Sequence, residues 1–246
     1  MMIDPVFLLA CVVIAGAAIV SGLAGFGLGI VAIPLMLLIY EPSTVIALVK
    51  VITLGTTWVV IVHAWHEISW RRIVTMVPPA LVGLFVGGWL LQVLDPAIIK
   101  ALAGVIVFAL AALLLTWRPM ALRERGWMSP VVGLLCGVGS TSTGMSGPPL
   151  VLFFTVAGVD KLTFRGTAAT FFVLTDLVGL PALIGQGAVT GGDMRLALAL
   201  APVALLGRLV GIRLVPLVSP VAFRRATLAL LLVTGSVSVV TGLAAL

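Results

Sequence analysis

Apolar residues run in blocks along nearly the whole chain, at about 6–21, 28–40, 43–63, 73–93, 97–117, 130–138, 147–157, 163–185, 195–217 and 222–243. Six of these blocks hold about 21 to 23 residues, enough for a helix to cross a hydrocarbon core of roughly 30 Å. The blocks 130–138 and 147–157 reach only about 14–17 Å each. They read as the two arms of a re-entrant hairpin. Between them lies Gly137–Pro149, GVGSTSTGMSGPP. Glycine and proline at this density do not continue one helix. An unpaired backbone group is too costly to keep in lipid, so the break must be enclosed by protein or border a water-filled cavity. A weaker break, Ser21–Pro34, SGLAGFGLGIVAIP, stands about half a chain earlier. Paired breaks in two halves point to the binding site of a transporter.

Composition fixes the class. Of 246 residues, 62% are hydrophobic and 9% charged, against about 25% charged in soluble domains, and mean hydropathy is +1.33. This is a polytopic membrane protein of a plasma or inner membrane. The net charge of +6 comes without a basic patch interleaved with aromatics, so no nucleic-acid partner is expected; the lipid bilayer is. MMIDP has no basic n-region, so the first apolar block is expected to be a retained anchor. Cys11 and Cys136 have no metal or redox spacing.

The basic residues order the blocks. If each glycine stretch is a hairpin tip, then Arg71, Arg72, Arg118, Arg123, Arg125, Lys161, Arg165, Arg224 and Arg225 share one side, against Lys100 and Arg195. If each stretch only kinks a spanning helix, the two sides are nearly balanced. The hairpin arrangement obeys the positive-inside rule, puts both termini outside and 118–129 in the cytoplasm, and gathers Trp65, Trp70, Trp117 and Trp127 at the inner edge. The halves also repeat: Arg71, Pro78, Gly83, Gly87, Pro96 and Lys100 are matched 124 residues later by Arg195, Pro202, Gly207, Gly211, Pro220 and Arg224. The expected fold is an all-α membrane protein of two inverted repeats, each a broken or re-entrant helical hairpin followed by three transmembrane helices. The first repeat is 1–117, the linker 118–129 and the second repeat 130–246.

In two apolar halves of this length, the pairing of GFGLG…P with GMSGPPLVLFF resembles the TauE/SafE sulfite exporter family of anion permeases. The likeness covers almost the whole chain and is most specific at Gly144–Leu150; in the first stretch Leu28 stands between Gly27 and Gly29, where the family is richer in glycine. The resemblance implies secondary transport of sulfite, sulfonates or related organic anions, driven by membrane potential or protons. An anion channel and an accessory membrane subunit are the alternatives, and a homodimer is compatible with the chain.

Candidate site residues follow from the breaks and the buried charges. A half-helix starting near Ser146 or Gly147 directs N–H groups and a positive dipole end at an anion. Ser140, Thr141, Ser142 and Thr143 add hydroxyls, and Gly144 admits close approach; Gly25 and Gly27 are the counterparts in the first break. Close packing of small residues is the alternative for both. Arg208 lies too deep in its span to reach the surface easily, so it either holds the anion or pairs with Asp176. Lys50 either lines an outer vestibule or reaches the headgroups. Asp176, Lys50 and His63 are candidates for coupling or gating. No nucleophile, acid–base pair, nucleotide loop, cofactor motif or metal-ligand set is recognisable, so the chain does not read as an enzyme.

Overall fold

The computed structural model of the protein describes residues 5–25, 27–95, 97–99, 101–102, 105 and 125–214. The expected spans 97–117 and 222–243 lie wholly or mostly outside these residues, as do most of the 118–129 linker and Lys100, Arg118, Arg123, Arg224 and Arg225. The described residues form α-helices and no strand: α1 (Pro5–Ala24), α2 (Leu28–Met36), α3 (Pro42–Thr56), α4 (Trp58–His63), α5 (Trp70–Val93), α6 (Met128–Ser142), α7 (Gly147–Val156), α8 (Lys161–Gly185) and α9 (Gly191–Leu214), with a 3-10 turn at Trp65–Glu67. Among the described residues, five stretches are long and apolar enough to cross a membrane: Pro5–Leu23, Pro42–His63, Trp70–Val93, Leu162–Gly185 and Gly191–Leu214. Their outer faces are as apolar as their inner ones; Val12, Val62, Val74 and Leu206 are each between 65% and 76% exposed. Such faces suit lipid rather than water.

Two elements differ from the pattern of apolar blocks. α1 has 20 residues, about 30 Å, so the first break follows a full-length helix rather than a short arm. The helix runs on through Ser21 because Gly22 fits against the α9 backbone at Arg208 and Gly211, where a side chain would collide. The block 43–63 is interrupted at Thr57, between α3 and α4. Just before it the Thr56 hydroxyl donates to the Ile52 carbonyl at 2.7 Å, a back-bond that loosens and bends helices. At the second break α7, with 10 residues and about 15 Å, has the expected length, but α6 has 15 residues, about 22 Å, and runs on through Gly137 and Gly139 to Ser142, because Gly137 fits against the α5 backbone at Ala80.

Small residues decide which helices touch. α1 packs along α9, and α6 along α5. On α5, a Cβ at Gly83 or Gly87 would strike the carbonyls of Leu134 or Val138 on α6. On α9, Gly207 and Gly211 meet the carbonyls of Ala15 and Ile19 on α1 in the same way. Without a hydrophobic force between helices in lipid, close backbone approach of this kind is a main source of association. Between these two pairs α3 packs against α8, α9 against α3, and α5 against α8. The starts of α2 and α7 meet at the centre: a Cβ on Gly29 would lie 3.1 Å from the Gly144 carbonyl, and one on Gly147 2.7 Å from Ile30 Cδ1.

Candidate functional site

Both breaks turn on left-handed glycines. Gly25 and Gly27 have φ of 82° and 96°, and Gly144 has φ of 73°, a region that costs an L side chain roughly 1–2 kcal/mol. Across the second turn the Met145 N–H donates to the Gly139 carbonyl at 2.8 Å, which satisfies one carbonyl at the end of α6. Each turn then delivers the start of a short helix into the centre of the molecule, where first-turn N–H groups have no partner within the helix. The two starts are not equivalent. Pro148 and Pro149 lack an N–H, so α7 offers few donors. α2, which begins Leu28, Gly29, Ile30, keeps its full set.

The starts border a small cavity of about 40 Å³, lined among others by Gly25, Gly27, Lys50, Thr57, Ser140, Gly144, Ser146, Asp176 and Arg208. That is room for a few water molecules. Lys50 on α3 reaches across to α8 and α6: its Nζ donates to Asp176 Oδ1 and to Ser140 Oγ, both at 2.7 Å. Lys50 is 2% exposed and Asp176 6%. Arg208 on α9 is 2% exposed and among the described residues is held by hydroxyls alone: Nη1 donates to Thr57 Oγ1 at 2.6 Å and Nη2 to Ser21 Oγ at 3.1 Å, while Nε has no partner among them. Among the described residues no carboxylate lies within ion-pair distance of Arg208. A buried guanidinium that gives its bonds to neutral oxygens keeps its whole charge for whatever enters beside it.

The matching family gives this geometry a context. The profile of the family described as sulfite exporter TauE/SafE matches residues 8–237. The chain belongs to the TauE/SafE family. It is 26% identical over 218 residues, 86% of this chain and 85% of the relative, to a protein of Cupriavidus necator named probable sulfite/organosulfonate exporter TauE. It is 26% identical over 174 residues, 70% of this chain and 72% of the relative, to the probable inner membrane transporter protein TsaS of Comamonas testosteroni. A probable membrane transporter protein of Haemophilus influenzae is 25% identical over 198 residues, 74% of this chain and 75% of the relative. No solved structure matches the chain. TauE/SafE proteins are multi-pass membrane transporters, not enzymes.

Within this TauE/SafE chain the residues singled out from the sequence divide into three groups. Gly25, Gly27, Gly144, Ser146, Gly147, Lys50, Asp176 and Arg208 come together on the cavity. Asp176 pairs with Lys50, which settles the alternative that it pairs with Arg208, and Lys50 is buried rather than reaching the headgroups. Ser142 and Thr143 do not line the cavity; their hydroxyls donate back into α6, to Val138 at 2.7 Å and Gly139 at 3.1 Å. One turn of helix carries Ser140 inward and these two elsewhere. His63 is exposed at the end of α4, away from the cavity. Arg165, placed by the charge pattern in an inner loop, is buried within α8, with its Nη2 donating to the Gly22 carbonyl at 3.1 Å.

Three polar residues of the cavity escaped sequence reasoning. Ser21 and Thr57 hold Arg208, and Thr53 lines the wall beside them. The only available signal for Thr57 was the threonine pair within an apolar span, which by itself reads as back-bonding to its own helix.

Proposed function

We propose that this chain is a secondary transporter of small oxyanions, sulfite or sulfonates among them, and that the anion binds in the central cavity between the starts of α2 and α7, against Arg208. One observation carries this reading: a buried arginine, bonded among the described residues only to Thr57 and Ser21, borders a cavity that two helix N-termini also face. Backbone N–H groups, two positive dipole ends and a desolvated guanidinium all favour negative charge. The names of the Cupriavidus and Comamonas relatives are in keeping with this substrate class and with an inner-membrane location.

Two inverted repeats, 1–117 and 130–246 joined by 118–129, are the architecture we propose around the site. The packing supports it. Exchanging α1 with α6, α2 with α7, α3–α4 with α8 and α5 with α9 turns the α1–α9 contact into the α6–α5 contact, and α9–α3 into α5–α8. The glycines follow the same exchange, Gly83 and Gly87 standing to α6 as Gly207 and Gly211 stand to α1. A site at the meeting of such halves, flanked by discontinuous helices, is how many transporters allow access from either side.

The test is a panel of sulfite, methanesulfonate, sulfoacetate, taurine and acetate added to the purified protein, read as the shift in melting temperature. A ligand that binds the folded state stabilises it by mass action. Oxyanions of sulfur are expected to raise the melting temperature in the parent but not in Arg208→Gln. A panel in which no anion does so removes the proposal.

A further inference from the structure

Among the described residues, those lining the cavity include two cations, Lys50 and Arg208, and one carboxylate, Asp176. The acidic residues of the whole chain are Asp4, Glu41, Glu67, Asp95, Glu124, Asp160, Asp176 and Asp193. Of those that the structure describes, Asp176 alone is buried. The described residues that line the cavity therefore carry one net positive charge when it is empty, and a monovalent anion neutralises it. A divalent anion leaves one negative charge too many in a buried space, where an uncompensated charge is costly.

The geometry around Asp176 shows how that excess can be removed. Lys50 Nζ bonds both Asp176 Oδ1 and Ser140 Oγ, and Ser140 Oγ lies 3.5 Å from the same carboxylate oxygen. A lysine has a flexible stem, so Lys50 can turn toward a second negative charge in the cavity while Ser140 stays beside the carboxylate. Asp176 then faces a nearby anion without its cation, the condition that most favours the neutral carboxyl. We propose that Asp176 carries one proton together with a divalent anion, and none with a monovalent one. The proton comes from solvent as the dianion enters, forms an O–H bond on the Asp176 carboxylate, and returns to solvent when the anion leaves and Lys50 swings back. This rests on the anion site proposed above and adds its stoichiometry.

Among the described residues, other charges do not take over the role. α6 presents Ser140 to the carboxylate, and the neighbouring stretch of α5 presents the uncharged Leu84, with Arg71 and Arg72 at its distant start. His63, His66 and Glu67 are exposed on α4 and the 3-10 turn, and Glu41 is exposed ahead of α3. Arg165 is buried behind Gly25 and donates to the Gly22 carbonyl, and it does not line the cavity; it precedes Asp176 on α8 by about 16 Å, and Arg208 stays on its hydroxyls across the cavity.

Sulfate and methanesulfonate make the test clean. They have nearly the same tetrahedral shape, differ by one charge, and neither takes up protons between pH 5 and 8. Calorimetric titration of the full-length protein in two buffers of different ionisation enthalpy reads the protons taken up per anion bound. The expected result is close to one proton with sulfate and none with methanesulfonate, with sulfate affinity falling toward tenfold for each unit rise in pH. Asp176→Asn is expected to bind sulfate with no proton uptake. Sulfate binding by the parent without proton uptake, equal uptake with both anions, uptake that persists in Asp176→Asn, or binding of methanesulfonate alone each overturns the proposal while leaving the anion site standing. Failure of both anions to bind the parent overturns the anion site itself. The proton count on the parent needs no variant, so a poorly folding Asp176→Asn leaves the decision intact.

Discussion

Arg208→Gln is the substitution with the largest expected effect on binding. The guanidinium donates to Thr57 Oγ1 at 2.6 Å and Ser21 Oγ at 3.1 Å, and its Nε has no partner among the described residues. Glutamine keeps a donor for one hydroxyl and removes the charge. A hydrogen bond to a charged group contributes about 1.5–3 kcal/mol, and two unit charges about 4 Å apart interact by about 4 kcal/mol at the effective dielectric that describes protein sites. These are two descriptions of one contact and do not add. The expected loss is about 3–4 kcal/mol, roughly 100- to 1000-fold in affinity. Folding should survive, because the two hydroxyls can rotate to bond each other's neighbours and no carboxylate among the described residues is left unpaired. Arg213→Gln on the same helix is the control: Arg213 is exposed, and its loss should change affinity by less than about twofold, since exposed charges are well screened. Calorimetry with methanesulfonate on both variants, with melting curves as the check on folding, is the assay. A folded Arg208→Gln that binds within about threefold of the parent refutes the reasoning.

Three further outcomes are expected. Gly144→Ala combines a left-handed φ of 73° with a Cβ 2.6 Å from Ile33 Cδ1, and should cost about 2–4 kcal/mol in stability; adding Ile33→Val should recover the collision but not the backbone strain, as denaturant melts of the single and double variants would show. Asp160 caps α8, its carboxylate accepting from the N–H groups of Leu162 and Thr163 at 3.0 and 3.1 Å, so Asp160→Ala should lose about 1 kcal/mol. The Thr163 side chain and backbone hold the Asp160 carboxyl below the usual carboxylate range; the stabilisation is therefore complete above about pH 4 and is lost as pH falls through the lower folded value, which parent and variant melts between pH 3 and 7 would reveal. In a variant without Cys11 and Cys136, single cysteines at the exposed positions Gly126 and Gly187 should label from opposite sides of the membrane; labelling from one side would mean that α6 and α7 together make a single crossing.

The breaks were readable from the residues because glycine and proline act locally. Gly27 and Gly144 take the left-handed conformation that ends or precedes a helix, and each lies in a run too dense in glycine or proline to continue one helix, so the two breaks follow from two short stretches of sequence. Spans were readable because lipid demands length and apolarity alone. Partners were not. Lys50 and Asp176 are 126 residues apart, and nothing local to either names the other; their pairing depends on α3 crossing α8. The facing of hydroxyls was beyond reach for a related reason. Ser140, Ser142 and Thr143 lie within one turn, and which of them points inward is set by how α6 docks on α5 through Gly133 and Gly137. Arg165 shows the same limit for charges: a basic residue near a helix start reads as interfacial until tertiary packing buries it against the end of α1.

A crystal of the protein soaked with selenate, a tetrahedral dianion whose selenium scatters anomalously, would locate the anion directly. The anomalous peak is expected in the cavity bordered by Gly27, Gly144 and Arg208, with selenium about 3.5–4 Å from a guanidinium nitrogen, the separation set by a charge-assisted N–H···O contact plus one Se–O bond. A peak found instead in the surface cleft formed by Ser69, Arg71, Thr75 and Ser129, with the central cavity empty at a selenate concentration that saturates binding in solution, would contradict the placement of the anion between the two broken helices.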